Sequence, residues 1–147
     1  VFDQDDHSVF VNGNVSYIDS SVTLGAKSLQ LEGMGSDGRQ LQGQSEYLAN
    51  LQIGYDHFPS GQKLTLLVNY FDDRIFRTAR GAALGPIIET GRTLIDINYE
   101  KQFGEEWDLK FQIKNLTDEP ISYSQNNRVI ESYELGTSIS LSLSYRL

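Results

Sequence analysis

The sequence predicts an all-β protein: an antiparallel, up-and-down transmembrane β-barrel segment of about six long strands. Three features predict it. Long segments alternate apolar and polar residues with a period of two. The connections between them alternate short and long. Aromatic residues gather at the strand ends.

The alternation is cleanest near the C-terminus. Ile139, Leu141, Leu143, Tyr145 and Leu147 fall on one face of an extended chain, and Ser138, Ser140, Ser142, Ser144 and Arg146 on the other. A helix would scatter the same apolar residues around its circumference. Strands are predicted over Ser8–Asp19, Ser45–His57, Gln62–Asp72, Arg92–Phe103, Trp107–Leu116 and from about Tyr133 to Leu147. Their polar faces carry such sets as Asp96, Asn98 and Glu100, or Lys110, Gln112 and Lys114. These cannot line a dry core without a large desolvation penalty. They suit water in the bulk or in a wet lumen.

Two connections are tight turns, Phe58-Pro59-Ser60-Gly61 and Gly104-Glu105-Glu106. Three are long and read as irregular: Ser20 to Gln44, Asp73 to Gly91 and Thr117 to Ser132. Every long loop falls at one end of the sheet and every tight turn at the other, the asymmetry of outer-membrane barrels. Strands of about 10–12 residues, tilted near 45°, span about 25 Å, the height of an apolar band. Tyr55, Phe58, Tyr99, Phe103, Trp107 and Tyr145 cluster at the short-turn ends. Tyr17, Tyr47, Tyr70 and Tyr133 are placed near the long-loop ends. Two belts of amphipathic rings fit two membrane interfaces.

The composition agrees. Twelve Lys and Arg against 20 Asp and Glu give a net charge of −8, which argues against nucleic acid. There is no cysteine, so no disulfide framework and no thiolate metal site. No apolar run reaches the roughly 20 residues of a membrane helix. A mean hydropathy of −0.37 looks soluble, but a barrel in which every second residue meets lipid has the same value. The chain begins at Val1, which reads as a processed chain or a fragment. Six strands do not close, since membrane barrels need about eight or more. Residues 1–147 are therefore taken as part of one β-barrel domain, its remaining strands in another piece of chain. Completion by several copies is the less favoured option.

Three stretches carry a family resemblance: Leu41 to Tyr55 (LQGQSEYLANLQIGY), Lys114 to Pro120 (KNLTDEP) and Ser140 to Leu147 (SLSLSYRL). Together they resemble the C-terminal barrel of TonB-dependent outer-membrane receptors, over nearly the whole chain from about Val9. The resemblance implies the last six strands of a barrel of about 22 strands, in the outer membrane of a Gram-negative bacterium. It implies a plug domain and a TonB-contacting segment, neither present in this sequence. The implied function is energy-coupled uptake of a scarce nutrient, foremost a ferric siderophore or similar metal chelate. The implied partners are outer-membrane lipid and lipopolysaccharide, the other strands and plug, TonB, the barrel-assembly machinery at the C-terminal strand, and a small-molecule ligand. The family commonly ends in an aromatic residue, and Leu147 departs from that. The alternative is a soluble or secreted antiparallel β-sheet binding module whose apolar face packs on a second sheet.

Arg74, Arg77 and Arg80 lie close together in the second long loop, with Arg92 at its far end. In an acidic chain this is a local positive cluster, suited to anionic ligands such as carboxylate- or catecholate-rich chelates. It also suits lipopolysaccharide phosphates, and Asp72, Asp73 and Glu89 could instead balance it. Asp3-Gln4-Asp5-Asp6-His7 reads as a charged turn or frayed end, lacking the spacing of a calcium loop. His7 and His57 have no spaced His or Cys partner, so no metal site is assigned. No nucleophile elbow, P-loop or dinucleotide fingerprint is present, so neither an enzyme nor a cofactor is expected. Gly33, Gly35 and Gly38 read as loop flexibility. Asp96, Glu100, Lys110 and Lys114 are candidates for a cross-strand charge ladder.

Overall fold

A computed structural model describes residues 2–32, 38–80 and 84–146. In chain order the elements are β1 (Phe2–Gln4), β2 (His7–Tyr17), α1 (Ala26–Glu32), β3 (Tyr47–His57), β4 (Gln62–Phe71), β5 (Arg74–Arg77) and β6 (Ile87–Glu89). They continue with β7 (Arg92–Phe103), β8 (Trp107–Lys114), β9 (Ile121–Gln125), β10 (Arg128–Tyr133) and β11 (Ser138–Tyr145). One antiparallel sheet has the order β1-β2-β3-β4-β7-β8-β11, and a second the order β10-β9-β6-β5. The protein is all-β and antiparallel, and both sheets are open.

The register follows from the alternation. Val11, Ile53, Leu66, Ile97, Ile113 and Ile139 form one continuous row across β2, β3, β4, β7, β8 and β11. Val9, Tyr55, Leu64, Tyr99, Phe111 and Leu141 form the next. A slip of one residue would carry a strand's apolar set to the opposite face, so such rows specify the register strongly. On this face the polar side chains sit in the end rows. His7, His57, Gln62 and Lys101 share one row beside the short turns, and Thr93 lies at the other end. Lys101 lies over the Phe103 ring at 5.2 Å, its stem on apolar surface and its charge at the rim.

The opposite face is polar. Asp56, Lys63, Glu100 and Lys110 alternate in sign along one row. Within it Lys110 Nζ stands 3.4 Å from Glu100. Asp96 is not in the ladder, since its carboxylate accepts from the Asn115 amide at 2.9 Å, and Lys114 sits opposite Ser138. Gly54 makes room on this face for Phe10, whose ring lies 2.0 Å from where a Cβ would stand.

The tight turns fall where the sequence places them. Phe58–Ser60 forms a 3-10 turn, closed by Gly61 with φ of 60°. The Arg146 amide donates to Glu106, which returns the C-terminal strand to the short-turn end. Asp5 and Asp6 form the turn between β1 and β2.

The long connections differ from the irregular loops predicted. The first contains α1, tied back by an Arg39–Glu32 ion pair at 2.8 Å. The other two fold into β5, β6, β9 and β10. Tyr133 does not begin the last long strand: it ends β10, opposite Ile121, and β11 starts at Ser138. The order β5-β6-β9-β10 repeats that of β4-β7-β8-β11, so the second sheet carries the wall of the first onward past its long-loop end. The return leg of the first long loop joins its edge, through a Ser45–Arg74 bridge and the Gly43 amide on the Ile75 carbonyl. Gly33, Gly35 and Leu147 lie outside the described residues.

Candidate functional site

The KNLTDEP stretch ends the first sheet and starts the second. Asn115 adopts φ of 53°, a left-handed conformation that Asn tolerates better than most residues. Its side-chain oxygen accepts from the Glu119 amide at 3.0 Å, and its side-chain nitrogen donates to Gly136 at 3.3 Å. Its backbone carbonyl accepts from Thr137 Oγ1 at 2.9 Å. One side chain thus binds the end of β8 to the starts of β9 and β11. Beyond it, Asn126 and Asn127 adopt φ of 51° and 60° in the two-residue hairpin between β9 and β10. Two adjacent left-handed residues match the strand twist.

These turns bring a cationic and aromatic cluster onto the polar side of the wall. Arg92 lies opposite Phe71 in the register of the polar face. Arg74 and Glu89 are paired across β5 and β6, and Glu89 lies opposite Tyr123 on β9. Glu89 is 5% exposed. Its carboxylate accepts from Arg74 at 2.8 Å, and Arg92 approaches the other oxygen at 3.9 Å. Both guanidiniums lie over Phe71, at 4.9 and 5.1 Å from the ring centre. Phe76, the extra residue of a bulge in β5, packs against Tyr123 with ring centroids 4.5 Å apart and planes tilted by 42°. Arg77 lies over Phe76 at 5.2 Å. Arg92 Nε is buried without a hydrogen-bond partner.

The Tyr123 hydroxyl is pushed up to about 12. Its hydrogen bond with Tyr133 is the largest cause, followed by burial and the nearby Glu89 carboxylate. The Tyr123 and Tyr133 rings stand 6.3 Å apart. Tyr133 therefore belongs to this inward cluster and not to the aromatic belt on the apolar face, because β10 pairs with β9 beyond the wall.

Of the four arginines singled out in the sequence, Arg74 and Arg92 converge on Glu89, Arg77 neighbours them over Phe76, and Arg80 stands exposed apart. Glu89, one of the acids the sequence offers as a balancing charge, is thus the one that pairs with Arg74 and Arg92, while Phe71, Phe76 and Tyr123 complete the cluster with no sign in the sequence. The Asn126-Asn127 pair between β-prone runs was the signal that could have revealed the β9–β10 hairpin. Chemically the cluster offers planar donors and aromatic faces to an anionic or aromatic group. Below it, the polar face forms a concavity of about 470 Å³, lined by such residues as Gln52, Thr65, Asn98 and Gln112. The chain matches no protein-family model, no curated protein and no solved structure.

Proposed function

We propose that this chain is the terminal wall segment of a TonB-dependent outer-membrane receptor, which imports a ferric siderophore or a similar scarce metal chelate. The observation that carries the reading is the apolar face, whose rows run in register across six long strands and are buried at no position: even on interior strands Leu64 is 45% exposed and Ile53 37%. Lipid is the partner such a face fits, with the polar face toward a wet lumen. The aromatic rings at its ends support the same placement: Tyr17 and Tyr47 at 5.2 Å at the long-loop end, Trp107 and Tyr145 at 4.8 Å at the short-turn end. In this reading the plug, the remaining strands and TonB belong to the rest of the receptor, and the protein binds and transports without being an enzyme. The Arg74–Arg92–Phe71–Tyr123 cluster faces incoming ligand at the outer mouth.

Two measurements test it. Ile97→Arg places a charge in the middle of the apolar face, and should cost about 2–4 kcal/mol in bilayer refolding. Asn98→Arg, its neighbour on the polar face, should be nearly neutral. Growth of a deletion strain under iron limitation, on a panel of ferric siderophores, tests the cargo. One siderophore should fail to support the strain, and should fail equally when TonB is removed. Equal costs for the two arginine variants would remove the membrane reading, and undiminished growth on the whole panel would remove the cargo.

A further inference from the structure

At the short turns the chemistry of the apolar face changes in layers. Along the six long strands this face carries no Asp or Glu, and its one Lys or Arg is Lys101. Lys101 shares the last full row before the turns with His7, His57 and Gln62. One row deeper are Tyr55 and Tyr99, and beyond the row lie the turns that hold Asp5-Asp6 and Glu105-Glu106. Successive rows are about 7 Å apart along a strand. Hydrogen bonds order the donors of the last row. The Tyr99 hydroxyl donates to Gln62 Oε1 at 3.1 Å, and Gln62 Nε2 donates to Ser60 Oγ at 2.8 Å. Ser60 accepts there, which leaves its own hydrogen for His57 Nδ1. The Tyr55 hydroxyl, 2.7 Å from His7 Nδ1, is placed to donate in the same sense. An imidazole that accepts at Nδ1 carries its proton at Nε2, and neither Nε2 has a partner among the described residues. The row therefore presents N–H groups. The four turn carboxylates are exposed, and none joins an ion pair among the described residues.

We infer that this rim seats a phospholipid with a primary-amine headgroup, its phosphate on the row of His7, His57 and Lys101 and its ammonium on the carboxylates of the adjoining turns. Such a lipid presents matching chemistry in the same order of depth: acyl chains, then phosphate, then the amine furthest out. Phosphate accepts from N–H donors, most strongly from a charged one. Lys101 is built for that level, its stem on the Phe103 ring and its ammonium at the rim. Trp107 and Tyr145, 4.8 Å apart, flank the row with amphipathic rings suited to the headgroup layer. The turn carboxylates select among headgroups. An anionic headgroup without an amine meets them with like charge, and a trimethylated amine has no N–H to donate to them. The inference rests on the lipid-facing reading of the apolar face, and adds which lipid its short-turn rim prefers.

Native mass spectrometry of the whole protein tests it, in micelles holding equal amounts of phosphatidylethanolamine, phosphatidylcholine and phosphatidylglycerol. The wild type should retain phosphatidylethanolamine in preference to the other two. Lys101→Gln removes the charged donor, and should lower retention of phosphatidylethanolamine by about fivefold. Asp6→Asn combined with Glu105→Gln should keep phospholipid bound and abolish the preference for the primary amine. Lys63→Gln, a charge removed from the polar face, should change neither. Insertion into bilayers is measured on the same samples by flotation with vesicles. Protein that floats but retains the three lipids equally, or keeps its preference in the Lys101 and acidic-turn variants, overturns the lipid seat and leaves the membrane reading standing. Protein that floats with no vesicle removes both.

Discussion

At the scale of single residues, Asn115 is the most consequential side chain outside the wall. It holds a left-handed backbone, costing an ordinary residue about 1–2 kcal/mol. Its side chain also makes two hydrogen bonds, each contributing about 1 kcal/mol net. Asn115→Ala should therefore destabilise the protein by about 2–3 kcal/mol, measured by urea unfolding in detergent. Asn115→Gly should recover the backbone part and not the hydrogen bonds. Equal losses in the two variants would show that the side-chain bonds alone matter. Tyr123 offers a second residue-scale test. A free tyrosine titrates near 10, and folded Tyr123 keeps its proton up to about 12. The folded state then binds more protons than the unfolded state between these values, so its contribution is full below pH 10 and is lost as pH rises through about 12. Alkaline titration followed by tyrosinate absorbance should show a step near pH 12 that Tyr123→Phe removes.

Among the elements, the second sheet is held where the wall is not, by a small buried cluster. Ile75, Ala79, Tyr123 and Glu89 are buried there. Removing the Glu89 carboxylate leaves two guanidiniums facing each other over Phe71. Glu89→Ala should cost about 3 kcal/mol, felt as faster hydrogen exchange in β5, β6 and β9 and little change in β2 or β3. Uniform exchange across both sheets would place the loss elsewhere. The contrast between the sheets also explains what the sequence made legible. The six long strands each carry 8–12 residues of period two, enough for the pattern to stand out, and Arg92–Phe103 was located to the residue. The strands of the second sheet are 3–6 residues long, two of them are bulged, and β6 finds its partner β9 across β7 and β8. Pairing of that kind leaves almost no local pattern. The cationic loop and its balancing acid Glu89 were therefore visible as local charges, while Phe71 and Tyr123 met them only through the register.

For the whole molecule, surface area separates a wall from a compact domain. A globular protein of 16.6 kDa exposes about 7,600 Å² by the usual scaling, whereas this chain exposes 9978 Å². The excess arises because the long strands form a single layer, with no large side chain fully buried among the described residues. Its two edges are open as well: β1 covers β2 only at His7, Ser8 and Val9, and β11 pairs on one side with β8 alone. Unpaired edges and an apolar face of this size drive association in water, so the isolated chain should aggregate without detergent. Spin labels placed singly along β4 and β7 test what the face meets in a bilayer. Labels at Leu66, Val68, Ile95 and Ile97 should collide with oxygen dissolved in lipid, and labels at Thr65, Asn69, Asp96 and Asn98 with a water-soluble nickel complex. The accessibility should swing with a period of two, in phase from strand to strand because the register aligns the rows. A second protein layer over the apolar face would hide the first set from both reagents, leaving only the polar face to respond. That outcome would turn the wall into one half of a sandwich, and the excess surface would then belong to a missing partner and not to lipid.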